Sequence, residues 1–250
     1  MTYLKNSIKF ILALWILVFI NNAFAIDLPL DNTINKINGD LSLNTCLVGD
    51  IYRLGTTASY NGQALDLLVE ITAEDNEYDT LTNPTGGRPC IGVAGGILET
   101  ALRDRDKQNG NGSPNAFMDL KITVVQQGTS IPVEVDRITF SGFDLDTNGA
   151  PANSIYYTAT DDIYMISPSR GYIQSGGASN VSYSQGAYGA SYDVKLKGDS
   201  NGNCNDSAAN PDPSCRGGGI AVFGPNGPNR VTSVNIRVSN DNAYANIPIG

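Results

Sequence analysis

The sequence predicts an all-β fold, an antiparallel β-sandwich of jelly-roll type, from three features. Several segments alternate apolar and polar residues with period two, turn-forming clusters separate them, and little of the chain carries a helical period. In "LDLLVEIT", Leu65, Leu67, Val69 and Ile71 share one face, and Asp66, Glu70 and Thr72 the other. In "FMDLKITVV", Met118, Leu120, Ile122 and Val124 oppose Asp119, Lys121 and Thr123. "SYDVKLKG" sets Tyr192, Val194 and Leu196 against Asp193, Lys195 and Lys197, and "VTSVNIRVS" sets Val234, Ile236 and Val238 against Asn235 and Arg237. One face in a core and one in water is the pattern of antiparallel strands. The clusters "NPTGGRP", "NGNGSPN", "QQGTSIP", "QSGGAS" and "GPNGPN" punctuate them, because Gly and Asn tolerate positive φ and Pro fixes φ. Only "GGILETALRDRD" offers a helix, and it is short and opens with glycines.

Residues 1–25 run from basic (Lys5, Lys9) through the apolar "FILALWILVFI" to "AFA", the layout of a secretory signal peptide cleaved after Ala25. The expected organisation is then an arm over 26–44 and one β-sandwich domain over 45–250, with no transmembrane segment in the mature chain. The expected location is secreted, extracellular or at the cell surface. A net charge of -9 makes nucleic acid and anionic membranes poor partners. All four cysteines follow the signal, and an even number in an oxidising compartment favours two disulfides. Of three pairings, Cys46 with Cys90 and Cys204 with Cys215 is preferred, because the second pair encloses the turn-rich "NDSAANPDPS".

The chain contains no histidine. That excludes Ser-His-Asp and Cys-His catalysis and histidine-ligated zinc. Paired carboxylates, as in glycoside hydrolysis, are the chemistry left to an enzyme, so an extracellular carbohydrate-active enzyme is the alternative to a non-catalytic protein. Calcium fits the residues better. In "GFDLDTNG", Asp144, Asp146 and Asn148 stand two apart before Gly149, as hard-cation ligands often do. The twelfth position of the loop is Ile155 and the preceding "VDRITFSGF" reads as a strand, which excludes an EF-hand. Parity adds a question. With Ile138 and Phe140 facing the core, Asp144 and Asp146 would also turn inward unless Gly142 carries a bulge or the aspartates meet a cation or donors.

Tyrosines set among Ser, Gly and Asn form the second candidate site, with Tyr156, Tyr157, Tyr183 and Tyr188 foremost. Tyrosine offers an apolar face and a hydroxyl, which suits glycan and protein surfaces.

In order, "GDIYRLG", "LDLLVEITA", "FMDLKITVVQQGTSIPVEVDRITFSGFDLD", "SIYYTATDDIYMI" and "VTSVNIRVSNDN" resemble an uncharacterised domain of large exported bacterial surface proteins. The shared features are a G-D-x-Y-R opening, a "DALV-x-I-T"-like strand, a "GT-x-x-P-V" turn and a strand ending in D-[ILV]-D, across Val48 to Asn240. The resemblance implies a β-sandwich module of adhesive or matrix-associated proteins, often in acidic, calcium-rich settings. This chain departs from it in standing alone, in the Cys204–Cys215 loop and in showing no sorting tail after Gly250. The reading is a secreted, non-catalytic β-sandwich of surface or matrix that binds a glycan or a surface protein, with Ca2+ at Asp144, Asp146 and Asn148. A purely structural subunit without a small ligand is the third reading.

Overall fold

The computed structural model describes residues 28–39, 47–74, 91–94, 97–100, 116–136, 138–141, 147–148, 159–173, 181–185, 192–198, 219–223 and 230–240. These residues form an all-β, antiparallel fold with no helix among them. The strands are β1 (Leu30–Lys36), β2 (Ile51–Tyr60), β3 (Gln63–Glu74), β4 (Ile91–Ala94), β5 (Ile97–Thr100), β6 (Ala116–Gln126) and β7 (Ile138–Ser141). They continue with β8 (Thr147–Asn148), β9 (Ala159–Ile166), β10 (Arg170–Ile173), β11 (Val181–Gln185), β12 (Tyr192–Gly198), β13 (Gly219–Phe223) and β14 (Ser233–Asn240).

Nine strands make one large sheet, ordered β1-β2-β3-β6-β14-β9-β12-β11 with β8 paired to β9. A second sheet has the order β10-β13-β7, and β4 and β5 form a hairpin. The alternation read from the sequence sets the buried face of the large sheet. Leu65, Leu67, Val69 and Ile71 on β3, Met118, Leu120 and Val124 on β6, and Val234, Ile236 and Val238 on β14 are buried in one apolar cluster. Ile138 from β7 and Ile91 from β4 belong to the same cluster, so both smaller sheets contribute to the core. Burial at about 25 cal/mol per Å² makes this face the main source of stability, since each fully buried aliphatic side chain contributes about 1.5–3 kcal/mol.

In "GGILETALRDRD", the one segment that could be helical from its sequence, the described residues are a strand. Ile97–Thr100 is strand β5, with Ile97 opposite Ala94 and Thr100 opposite Ile91. The pairing gives the backbone its hydrogen-bond partners, and Leu98 packs on the core, which a single helical turn opened by glycines would not match. Part of the segment expected as an arm, Leu30–Lys36, is the edge strand β1.

The β2–β3 hairpin turns on Asn61 and Gly62, at φ 51° and 78°. Positive φ at both central residues is the type I′ geometry that matches strand twist. Gly55 on β2 serves another purpose. A Cβ there would run into the Asp31 and Thr33 side chains of β1, so only glycine lets the edge strand lie close.

Candidate functional site

Of the residues expected to bind metal, Asp144 and Asp146 lie outside the described residues. Asn148 ends β8, opposite Ala159 of β9. Strand β7 runs to Ser141, and Ile138 is buried as parity required. Tyr156, Tyr157 and Tyr188 also lie outside the described residues, as do Cys46, Cys90, Cys204 and Cys215. Tyr183 lies on the edge strand β11, opposite Leu196. Among the described residues no group of three or more His, Cys, Asp or Glu is placed to hold a metal ion.

The described polar chemistry lies in two places. The first is the face of the large sheet turned away from the core. Cross-strand register puts Asp119 beside Arg237, Arg237 beside Tyr164, and Tyr164 beside Lys195. Arg237 grips Asp119 with two parallel bonds, Nε to Oδ1 at 2.6 Å and Nη2 to Oδ2 at 2.8 Å. Its guanidinium also lies 3.9 Å from the centre of the Phe117 ring. The bond to Asp119 holds the guanidinium pKa above its ordinary value, against the effect of burial. Charge-assisted, bidentate pairing of this kind fixes the plane of the arginine. Half-exposed Glu70, Lys121, Thr123 and Asn235 extend the polar face.

At the other end of β3 the same face holds a second pair. Asp66 accepts from Arg53 Nη1 at 3.1 Å and from the Gly128 N–H at 2.8 Å, while Arg53 also donates to the Thr129 carbonyl at 2.7 Å. Two strands and the 127–130 turn are thereby joined through one carboxylate. Alternation predicts outward positions for Asp66 and Asp119, yet they are 4% and 7% exposed. Their partners cover them, which no alternation pattern can reveal.

The second place is a buried corner where β1, β2 and β3 meet. Register sets Lys36 opposite Tyr52, so a lysine joins the core side of the sheet. Its side chain is 0% exposed, that of Asp50 is 6%, and Nζ lies 2.6 Å from Asp50 Oδ2. Asp50 Oδ2 also accepts the Leu47 N–H at 2.8 Å. Asn38 clamps the peptides on both sides of Asp50, donating to the Gly49 carbonyl at 2.7 Å and accepting the Ile51 N–H at 2.6 Å. Gly39, at φ +65°, leaves room for the carboxylate, because a Cβ there would stand 2.8 Å from Asp50 Oδ1.

Glu74 reaches this corner through a register shift. Ile71 pairs with Leu120, but Ala73 pairs with Asp119 and Glu74 with Met118, a core residue. The irregularity therefore flips the parity of Glu74 from outward to inward. Burial first, and then the charge of Asp50, hold its carboxyl above the ordinary carboxylate range, while the Val48 N–H acts the other way. Glu74 Oε2 is buried with no hydrogen-bond partner among the described residues.

These features define an all-β protein built on one broad antiparallel sheet, with a polar, half-exposed outer face. No family model matches the chain, and no curated protein matches it. Among solved structures, the N-terminal domain of the Streptococcus gordonii adhesin Sgo0707 is similar at 9% identity and a TM-score of 0.43, over 87% of this chain and 51% of that one. The chain thus spans about half the length of that structure.

Proposed function

We propose that the protein is a secreted, non-catalytic β-protein of a cell surface or extracellular matrix that binds a glycan or a protein partner. The observation that supports this reading is the outer face of the large sheet, where Asp119, Arg237 and Tyr164 form a row across neighbouring strands and the Phe117 ring stacks on the Arg237 guanidinium. An aromatic ring, a phenol and a guanidinium held in plane by its carboxylate supply both stacking surface and directed donors. Sugars and polar protein surfaces require both. A signal peptide over 1–25 and an acidic mature chain fit an exported setting.

The mature protein, screened on a glycan array and against immobilised matrix proteins, is expected to retain at least one class of partner. Tyr164→Ala should weaken that binding about tenfold or more, the loss of roughly one stacking contact. Retention of nothing, or binding indifferent to Tyr164, contradicts the reading.

Calcium at Asp144, Asp146 and Asn148 belongs to the same proposal. Saturating calcium should raise the melting temperature over that in chelator, because a ligand at a hundredfold its Kd stabilises by about 2.7 kcal/mol. Equal melting temperatures, or a calcium effect unchanged by Asp144→Ala with Asp146→Ala, would remove calcium from it. The proposed disulfides carry their own test. Unreduced peptide maps should join Cys204 to Cys215, and either thiol found free rejects that pairing.

A further inference from the structure

From the buried corner we propose that Lys36 and Asp50 condense into an intramolecular isopeptide bond, with Glu74 as the neighbouring acid that carries the proton. The placement of the groups is the argument. A lysine with no exposed side-chain surface lies with Nζ 2.6 Å from a carboxyl oxygen that is itself buried. The Asp50 main chain is held from both sides by Asn38 and joined to β3 by the Gly49 N–H to the Ile71 carbonyl and the Ile71 N–H to the Asp50 carbonyl, at 2.8 and 3.0 Å, and its carboxylate accepts the Leu47 N–H. The third group, Glu74, enters by a break in strand register and keeps one buried oxygen without a hydrogen-bond partner among the described residues. Burying an ammonium and a carboxylate is costly even when they pair, and condensation removes both charges. Fixing the two reactants in contact supplies the proximity an amide bond needs.

The reaction balances without a co-reactant. The Lys36 ammonium gives up a proton to the adjacent Asp50 carboxylate oxygen, and the Nζ lone pair attacks Asp50 Cγ. The C–N bond forms, one C–O bond breaks, and the oxygen departs as water. Glu74 delivers a proton to the departing oxygen and regains one from the nitrogen, so it ends as it began. Ammonium plus carboxylate becomes amide plus water, with no change in oxidation state. The product would staple the edge strand β1 to the start of β2, where an unprotected edge is prone to fray.

Mass spectrometry of the exported protein, after reduction of its disulfides, tests this directly. The expected result is a chain one water lighter than its sequence, with no tryptic cleavage after Lys36. The resulting peptide should run through to Arg53 and yield no backbone fragments between positions 36 and 50. Lys36→Arg should restore the full mass. Glu74→Gln should restore it in a protein whose circular dichroism is unchanged, and if that variant does not fold, Glu74→Asp should form the link more slowly than the native chain. A folded native protein of full mass that is cleaved after Lys36 overturns the proposal, as does a water loss that maps elsewhere. A link that forms at the native rate in a folded Glu74 variant overturns the role given to Glu74.

Discussion

Leu120→Ala is expected to lower stability by about 2–5 kcal/mol, the cost of a cavity in a close-packed core. For a chain of this size each kcal/mol lowers the melting temperature by roughly 2–4 °C, so the loss should be on the order of 10 °C. Leu120 is fully buried and pairs with Ile71 on one side and Ile236 on the other, at the middle of the large sheet. The adjacent Lys121 points to the half-exposed face, and Lys121→Ala should change stability by no more than about 0.5 kcal/mol. Thermal denaturation of the two variants reads sheet parity directly. Similar losses at 120 and 121 would mean that β6 does not present one face to the core.

Asp66→Ala should cost about 2–4 kcal/mol, measured by urea unfolding. Breaking a buried pair leaves the partner charge and its donors without compensation. Here the stranded groups are Arg53 Nη1 and the Gly128 N–H, and the Asp66 side chain is 5% exposed. The figure lies towards the lower end for buried pairs because Arg53 is 18% exposed and keeps the Thr129 carbonyl as an acceptor. Asp66→Asn retains an acceptor and should cost less. A double-mutant cycle with Arg53→Met should show a coupling of about 0.5–3 kcal/mol, and additive losses would show that the two side chains act independently.

Period-two alternation makes the core rows of β3, β6 and β14 legible in the sequence, because burying one face of a pleated strand requires it. The Asn61-Gly62 dipeptide between two apolar runs is a further signal for the β2–β3 hairpin, since few pairs accept positive φ twice. Strand β5 is not legible in the same way. A short apolar run fits helix or strand until a partner is known, and here β4 supplies that partner. The outer-face pair Asp119–Arg237 joins residues far apart in the chain, and the Arg53–Asp66 pair spans two strands. Both have the right parity but no sequence signal for contact.

The buried corner shows the division most clearly. An all-β antiparallel fold, the identity of the core faces on the main strands and an acidic chain without histidine are all readable from residue order, because each follows from local periodicity or composition. Strand pairing, in contrast, is what makes Lys36, within the segment expected as an arm, part of a strand turned towards the core, with Asp50 clamped against it. It also decided that Glu74 faces inward, through a register break beyond Ile71 that local alternation does not encode. Alternation reports which side of its own strand a residue occupies. Which charges meet there depends on pairing between strands, and that is set by the packing of the whole sheet.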